Sequence, residues 1–474
     1  MSFRERRAKI VATLGPATDI PMVLEKMIEM GLDVARFNMS HGTLAEHKRR
    51  LHMVRNLAKK HNRPVAILLD LQGPKIRTGL LKNGKPVHLV KNSKITITTK
   101  DLLGDAALVS TTYGHLPLDV KKGDPILLDD GRMRLAVLEK SKESIVCKVV
   151  HGGWLKEHAG INLPGTRLSS PALTKKDIED LKFGMEMGID AIALSFVRRA
   201  KDIQQLKEIL RAKKFFVPVI AKIERAEALD HLDEIMHEAE GVMVARGDLG
   251  VELSLEKVPI LQKYIIQKAN ATGTIVITAT QMLESMIDAP IPTRAEASDV
   301  ANAIFDGTDA VMLSGETAKG KYPIEAVQMM TRIVAETEKS TDGDSQWDLH
   351  QHEHASNVHA VVHAACQAAE EVDAKAILVF SMSGTTIRML SKLKPRKPII
   401  GLAHSERVYR QMALCWGVHS IISPMGHSTD EMILLGEKKV LKQKLLNKGD
   451  KVVIVSGSQQ LRGATNMMKI LTLD

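Results

Sequence analysis

Residues 219–250 read VIAKIERAEALDHLDEIMHEAEGVMVARGDLG, and this stretch decides the fold. It holds two short β-branched runs, Val219 to Ile223 and Gly241 to Ala245, separated by a segment long enough for a helix. Strands that alternate with helices predict a parallel sheet. Each run ends in charged or glycine residues, so polar side chains follow directly after both predicted strands.

Six further runs of this kind bring the number of predicted strands to eight. Eight parallel strands with intervening helices predict a (β/α)8 TIM barrel of the α/β class, whose active site lies at the carboxyl ends of the strands. Thr174 and Asp177 form a capping-box signal at the start of one helix. The six further strands are Lys9 to Thr13, Val34 to Asn38, Val65 to Asp70, Ala191 to Ser195, Ile275 to Thr278 and Ala310 to Leu313.

The length of 474 residues predicts more than one domain. From about Gln72 the rhythm changes to alternating apolar and polar residues, and Asp130-Gly131 predicts a hairpin. We therefore expect an inserted all-β lid domain, a β-barrel, at 72–165. The barrel domain then comprises 1–71 and 166–340.

A polar stretch from Glu338 to Asn357 predicts a linker before a third domain. Its alternating histidines are typical of a solvated linker, with a metal site as the alternative. After it, 357–474 is predicted to form a C-terminal α/β allosteric domain, with strands near Ala376 to Phe380, Ile399 to Leu402 and Lys451 to Val455. The linker histidines are His350, His352 and His354.

Composition excludes several classes of protein. The net charge of +10 is typical of a solvated basic surface, with anionic small substrates as the alternative, whereas 3% aromatic residues and dispersed basic residues argue against nucleic-acid binding. The three cysteines form no CxxC pair, which argues against a disulfide framework or a zinc site. With no apolar run of membrane-spanning or signal length, we expect a cytoplasmic protein without membrane contacts.

The chemistry is predicted at the ends of the two strands quoted first. Lys222 and Glu224 are two residues apart and so point to the same side of the strand end, as a buried structural ion pair or as part of a site. Asp248 adds a second carboxylate beside Gly247, whose backbone amide could hold a substrate carboxylate. Two carboxylates suit Mg²⁺, which prefers oxygen ligands.

Six motifs, in this order and spacing, resemble pyruvate kinase over nearly the whole chain. They come from six different predicted barrel strands, which makes the resemblance far more specific than any single glycine pattern. The motifs are ARFNMSHG at 35–42, DLQGPKIRTG at 70–79, IAKIERAEA at 220–228, MVARGDLGVE at 243–252, ITATQMLESM at 277–286 and DGTDAVMLSGETAKGKYP at 306–323.

The resemblance implies phosphoryl transfer from phosphoenolpyruvate to ADP, giving pyruvate and ATP in the last step of glycolysis. It implies Mg²⁺, with Mn²⁺ as an alternative, on Glu224 and Asp248, and a cytoplasmic homotetramer. The implied catalytic residues are Lys222, Arg36 and Thr280. Substrate binding is implied for these three together with Gly247 and Asp248, and nucleotide binding for Asn38, His41 and Arg77; for His41 an ordinary hydrogen-bonded histidine is the alternative.

The resemblance also implies a monovalent-cation pocket formed by Asn38, Ser40, Asp70 and Leu71. This chain carries Lys75 where the family commonly has glutamate, and relatives with that lysine generally work without potassium. We therefore expect the ammonium of Lys75 to replace K⁺ and K⁺ to be dispensable. The alternative is an exposed lysine with no role.

A second implied site lies in the C-terminal domain, where hydroxyls and backbone amides gather at a helix start. It resembles the family's effector-phosphate loop, although Thr385 replaces an arginine found in many relatives and SGSQQLRGATN departs from their glycine- and proline-rich loop. The expected effector is a sugar phosphate or AMP; plain helix capping is the alternative. The loop residues are Ser381, Ser383, Gly384, Thr385 and Thr386.

Two competing functions follow from the same residues. Another Mg²⁺-dependent barrel enzyme, such as a lyase or aldolase, would share the carboxylates but gives no reason for Arg36, Arg77 and the inserted lid. A basic scaffold or nucleic-acid binder would leave the six motifs unexplained. Phosphoryl transfer accounts for all of these features.

Overall fold

A closed barrel of eight parallel strands organises the protein, as seen in a computed structural model that describes residues 6–341, 356–457 and 465–474. Each strand pairs with its neighbours in chain order, and the first pairs with the last. The predicted (β/α)8 barrel is therefore confirmed. Its strands are Lys9–Thr13, Val34–Asn38, Ala66–Asp70, Ala191–Leu194, Val219–Ile223, Gly241–Ala245, Ile275–Ala279 and Ala310–Leu313.

Helices cover the outside of the barrel. The predicted capping box is present, since the Thr174 hydroxyl accepts from the Asp177 N–H and the Asp177 carboxylate accepts from the Thr174 N–H. No helix in the described ranges is long and apolar enough to cross a membrane. The α-helices are Pro21–Met30, Leu44–Lys60, Lys175–Glu186, Ala200–Ala212, Ala226–Asp230, Leu232–Glu238, Arg246–Glu252, Val258–Ala271, Arg294–Phe305, Gly315–Ala318 and Pro323–Thr341, and the 3-10 helices are Pro16–Thr18, Leu255–Lys257 and Glu284–Ile287.

The lid is inserted between the third and fourth barrel strands. It contains a six-stranded sheet and a separate two-stranded sheet, with one short helix, Leu116–Asp119. The predicted hairpin is confirmed, because Pro125–Leu128 and Met133–Lys140 pair antiparallel across Asp130 and Gly131, both at positive φ. The other lid strands are Val87–Leu89, Lys94–Thr98, Leu108–Ser110, Ser144–His151, Gly153–Leu155 and Ile161–Asn162, with a 3-10 turn at Lys82–Gly84.

The C-terminal region is a five-stranded sheet flanked by helices. Four strands run parallel, and Thr465–Thr472 pairs antiparallel at one edge. Sequence patterns did not predict Val418–Ile422 or Thr465–Thr472. The remaining strands are Ala376–Ser381, Ile399–Ala403 and Lys451–Gly457, and the helices are Asn357–Glu371, Thr385–Lys392, Glu406–Gln411, Thr429–Lys442 and the 3-10 helix Met412–Leu414.

The predicted linker begins too early. The last barrel helix continues to Thr341, and within it Glu338 is buried and accepts hydrogen bonds from the backbone N–H groups of Arg7 and Ala8 at 2.6 and 2.8 Å. Glu338 is therefore part of the barrel domain, where its carboxylate supplies hydrogen-bond acceptors for the backbone N–H groups that lead into the first strand. The histidines His350, His352 and His354 lie outside the described residues.

Four acids repeat at the amino-terminal face of the barrel, each directly before an even-numbered strand. Each carboxylate accepts a hydrogen bond, at 2.8 to 2.9 Å, from a backbone N–H of the preceding odd-numbered strand. Buried backbone N–H groups require an acceptor, so these side chains complete the hydrogen bonding at this end of the barrel. The pairs are Asp33 with Ile10, Asp190 with Ile67, Glu240 with Val219 and Asp309 with Val276.

Two of these acids also hold the C-terminal domain. Arg410 reaches Asp190 at 2.9 Å and Lys392 reaches Asp309 at 2.5 Å. The two acids precede the fourth and eighth strands, which lie on opposite sides of the barrel. Because breaking a buried ion pair leaves an uncompensated charge, the C-terminal domain is firmly fixed at two points across this face.

Candidate active site

The carboxyl ends of the barrel strands surround a small cavity of about 90 Å³. A wider cleft of about 340 Å³ adjoins it between the barrel and the lid, and both are lined by Lys75, Phe196 and Asp248. The small cavity brings together eight of the residues predicted from sequence, namely Arg36, Asn38, Ser40, Lys75, Lys222, Glu224, Asp248 and Thr280.

Lys222 lies at the centre of the small cavity. Its ammonium contacts Ser195 Oγ at 2.7 Å, Glu224 Oε1 at 2.8 Å and Asp70 Oδ1 at 3.2 Å, so each of its three N–H groups has an acceptor. Burial acts to lower the pKa of Lys222, but the charges of Asp70 and Glu224 outweigh it and the pKa is raised. Lys222 therefore keeps its positive charge at neutral pH.

Asp70 orients a second cation beside Lys222. Its Oδ2 accepts from Arg36 Nε at 2.7 Å, and another guanidinium nitrogen of Arg36 donates to the Thr13 hydroxyl at 2.7 Å. Burial acts to raise the pKa of Asp70, yet Lys222 and Arg36 hold it below its ordinary value. A fully ionised Asp70 thus fixes two cations, from the second and fifth strands, at one end of the barrel.

Two carboxylates stand beside these cations. Glu224 is buried, and its Oε2 accepts from the Phe196 N–H at 2.8 Å. Burial and the neighbouring charge of Glu224 raise the pKa of Asp248 to about 6, against the opposing effect of Lys222 and Lys75. The two acids therefore repel each other across a shared space.

This donor set fits a divalent cation. Mg²⁺ is commonly held by one or two carboxylates and completed by water and substrate oxygens, and Glu224 and Asp248 supply two such groups. A bound dication would also relieve the repulsion that raises the pKa of Asp248. The two residues are thus suited to hold the metal beside Lys222.

Thr280 is held in a strained backbone conformation. Thr280 and Gln281 have φ values of +70° and +53°, which are unusual for side chains of their size and for a β-branched residue above all. The guanidinium of Arg246 donates to both of their carbonyl oxygens, at 2.7 and 3.1 Å. The Thr280 hydroxyl accepts from the Gly247 N–H at 2.8 Å, so the amide predicted to hold a substrate carboxylate already has an acceptor here.

The residues of the predicted potassium pocket are engaged with their own neighbours. Asn38 Oδ1 accepts from the Ser40 N–H at 3.1 Å, and the Leu71 carbonyl accepts from the Ser195 hydroxyl at 2.6 Å. Lys75 is exposed but lines both the cavity and the cleft. Desolvation of its ammonium, with the charges of Lys222 and Arg77, lowers the pKa of Lys75, and the charge of Asp248 opposes that effect.

His41 and Arg77 line the wider cleft rather than the small cavity. Arg77 donates to the His158 carbonyl at 3.0 Å, a contact within the inserted segment. Burial, together with the charges of Lys75 and Arg77, lowers the pKa of His41, so its imidazole is neutral at pH 7. The cleft is lined by cationic and acidic side chains together, namely Lys75, Arg77, Lys156, Arg225, Asp129, Asp130, Glu157 and Asp248.

The predicted effector loop lies at the start of the helix Thr385–Lys392, far along the chain from the barrel strands. Ser381 Oγ accepts from the Gly384 N–H at 2.9 Å, and the hydroxyls of Ser383 and Thr385 are 3.0 Å apart. Thr386 is buried and hydrogen-bonds to Thr465 at 2.6 Å. The hydroxyls of Ser381 and Thr386 are thus used in internal hydrogen bonds. Ser383 is partly exposed and Thr385 is exposed.

Sequence reasoning missed Ser195 and Phe196 as site residues. Ser195 contacts Lys222, and the Phe196 N–H, at a φ of +54°, binds Glu224. A signal for Ser195 was present, since a polar residue directly after a barrel strand is a candidate. The role of the Phe196 backbone could not be foreseen, because no side-chain pattern encodes it.

Comparisons with known proteins identify the relatives of the chain. A family model described as pyruvate kinase, barrel domain, matches residues 5–327, and one described as pyruvate kinase, alpha/beta domain, matches residues 359–471. The pyruvate kinase of Geobacillus stearothermophilus is 45% identical over 98% of this chain and 80% of its own length. That of Clostridium acetobutylicum is 42% identical over 99% of this chain and all of its own.

A solved structure agrees with the sequence comparisons. The crystal structure of a pyruvate kinase from Cryptosporidium parvum superimposes with a TM-score of 0.91 at 36% sequence identity. The alignment covers 99% of this chain and 97% of that chain. The likeness thus extends across the barrel, the lid and the C-terminal domain.

The raised pKa of Asp248 predicts that Mg²⁺ binding weakens as pH falls through about 6. Because its folded pKa exceeds the unfolded value, the metal-free protein gains stability from protonation on acidification, whereas binding of Mg²⁺ requires the proton to leave. The rise in Tm caused by saturating Mg²⁺ should be large above pH 6 and small below it. Asp248→Asn is the control, with little Mg²⁺ effect at either pH, and an equal rise on both sides in the unaltered protein would contradict the assignment.

Proposed function

The chain belongs to the pyruvate kinase family, and from that premise we propose how its site moves the phosphoryl group of phosphoenolpyruvate to ADP, giving pyruvate and ATP. The observation that carries the proposal is the largely buried ammonium of Lys222, held among Asp70, Glu224 and Ser195 at the barrel mouth. Phosphoryl transfer is catalysed mainly by positioning and by cations aimed at the moving charge. This site supplies both.

The small cavity and the wider cleft differ in volume, and each suits one of the two substrates. A cavity of about 90 Å³ suits a three-carbon phosphate, and the cleft of about 340 Å³ suits a nucleoside diphosphate. Phosphoenolpyruvate then lies against Lys222 and Arg36, and the phosphates of ADP lie beside Arg77 and His41. The phosphoryl group passes from the cavity toward the cleft, and a closed lid would exclude water that would otherwise accept it.

Each side chain has a defined task in this arrangement. Arg36, anchored by Asp70 and Thr13, binds phosphoryl oxygens through its planar fork. Lys222 neutralises charge on the group in transit and on the enolate left behind. Glu224 and Asp248 would hold Mg²⁺, which when bound supplies further cationic stabilisation. The Thr280 hydroxyl, oriented by its strained backbone, would border the substrate on the route by which a proton reaches the enolate.

Replacing Lys222 with methionine tests this function most simply. The variant keeps the apolar length of the side chain but removes the charge, and we expect kcat to fall by roughly 10³-fold. The measurement is a coupled assay for pyruvate formed from phosphoenolpyruvate and ADP. Lys207→Met is the matched control, because Lys207 is a similarly buried barrel lysine that binds Glu240 on the opposite face. Equal rates for both variants would contradict the proposed role.

We further propose that Lys75 makes potassium dispensable. Its ammonium lines the cavity beside Asp248, and the pocket oxygens of Asp70 and Leu71 already have internal donors. A cation that belongs to the protein, near the phosphoryl group, supplies the charge that a bound K⁺ supplies elsewhere.

Turnover in potassium-free buffer should therefore match turnover with K⁺ added. Lys75→Glu should create a dependence on added K⁺, because it replaces the internal cation with an anion, whereas Lys82→Glu, at an exposed lid lysine paired with Asp105, should not. Strict potassium dependence of the unaltered enzyme would refute the assignment.

A phosphorylated metabolite is proposed to activate the enzyme at the loop 381–386. Exposed hydroxyls of Ser383 and Thr385 stand at a helix start, where backbone N–H groups favour an anion. The same helix ends at Lys392, which binds Asp309 at the base of the eighth barrel strand. The loop is therefore linked to the barrel by one helix and the ion pair at its end.

Ser383→Asp should abolish activation by placing a like charge at the anion site. Initial rates at subsaturating phosphoenolpyruvate would be measured with AMP, a sugar monophosphate and fructose 1,6-bisphosphate. Ser428→Asp is the control, because Ser428 caps another helix of the same domain and aspartate is an equally good cap. Activation that persists in Ser383→Asp would count against this loop.

The remaining biology follows from the family. Homotetramer assembly is general among pyruvate kinases and is proposed for this chain, with the final step of glycolysis in the cytoplasm as its setting. Three buried cysteines, Cys147, Cys366 and Cys415, accord with a reducing compartment.

A further inference from the structure

Ser195 is a buried hydroxyl at the end of the fourth barrel strand that none of the roles above uses. Its side chain lies between the ends of the third and fifth strands, with Oγ 2.6 Å from the Leu71 carbonyl and 2.7 Å from Lys222 Nζ. A serine hydroxyl has one proton to donate. The carbonyl can only accept and the ammonium can only donate, so the hydroxyl donates to Leu71 and accepts from Lys222.

This arrangement fixes the direction of the ammonium. The proton of Ser195 goes to the Leu71 carbonyl at 2.6 Å rather than to Asp70 Oδ1, which is 3.4 Å away, and this leaves a lone pair of the hydroxyl facing Lys222 as a defined acceptor. The other acceptors of Lys222 have further tasks, because Asp70 also binds Arg36 and Glu224 is suited to hold the metal. Ser195 is the neutral member of the set, and it anchors Lys222 without cancelling its charge.

The seat of Ser195 is rigid. The loop after the third strand packs directly on it, since a Cβ added to Gly73 would lie 3.1 Å from Ser195 Cβ and 2.8 Å from the Phe196 ring. Gly73 has a φ of +67°, and its N–H donates to Asp177 at 3.0 Å. Crowded on that side, the serine has little freedom to turn away from Lys222.

We propose that Ser195 is a positioning residue that aims the Lys222 ammonium at the transferring phosphoryl group. The proposal rests on the role given to Lys222 above. Losing the hydroxyl leaves the charge in place but frees its direction, and displacements of this kind cost roughly 10- to 100-fold in rate. The loss should fall on kcat more than on KM, because Arg36 still binds the substrate.

The test compares Ser195→Ala with Ser391→Ala. Ser391 is a matched control, being a buried serine whose hydroxyl also donates to a backbone carbonyl at 2.6 Å, that of Trp416 in the C-terminal domain. Both variants should lower Tm to a similar extent. We expect kcat to fall 10- to 100-fold in Ser195→Ala alone, with a smaller change in KM for phosphoenolpyruvate, and to recover largely in Ser195→Thr. Equal kcat in the two alanine variants would overturn the proposal.

A double-mutant cycle with Lys222→Met separates positioning from a structural tie. If Ser195 acts through Lys222, Ser195→Ala should slow the Lys222→Met enzyme no further, whereas an additional slowing of full size would overturn the proposal. An active Lys222→Met enzyme would refute the role of Lys222 itself and Ser195 with it. An inactive Lys222→Met enzyme beside a fully active Ser195→Ala enzyme would refute the positioning role of Ser195 alone.

If Ser195→Ala fails to fold, Ser195→Cys is the substitute variant, because cysteine has a similar shape and only a weak acceptor. Full kcat in that variant would equally overturn the proposal.

Discussion

The ion-paired ammonium of Lys222 is the interaction on which the site depends. A buried cation is costly unless carboxylates surround it, and here Asp70 and Glu224 raise its pKa despite burial. Asp70 in turn fixes Arg36, and Glu224 stands beside Asp248, so one charge organises groups from four strand ends. Removing it would leave the buried Glu224 without its cation and Asp70 with Arg36 alone, and in the proposed mechanism the phosphoryl group would lose its central cation.

The proposed active site and the contacts with the C-terminal domain lie at opposite ends of the barrel. At the carboxyl end, charged side chains turn into a cavity, which is the proposed substrate site. At the amino end, acids such as Asp190 and Asp309 satisfy backbone N–H groups and bind cations of the C-terminal domain. The helix from the proposed effector loop to Lys392 joins this second face, and the strands connect it to the first.

Sequence alone predicted the eight strands, because each is a short apolar run with a polar end. It also located Lys222, Glu224 and Asp248, because the carboxyl ends of parallel strands all lie at the same end of a barrel. It could not predict the strand Val418–Ile422, whose histidine and serine break the apolar pattern, or the inward hydrogen bond of Thr386. The alternating acids depend on the register between strands, which residue patterns in a single chain do not reveal.

The most direct measurement of the central claim restores the charge chemically. Lys222→Cys should be inactive, and alkylation with 2-bromoethylamine should rebuild an ammonium of nearly the same reach and recover much of kcat. Since Cys147, Cys366 and Cys415 are buried, the treatment should leave the unaltered enzyme unchanged. Full activity of Lys222→Cys before alkylation, or no recovery after complete alkylation of a folded protein, would contradict the account.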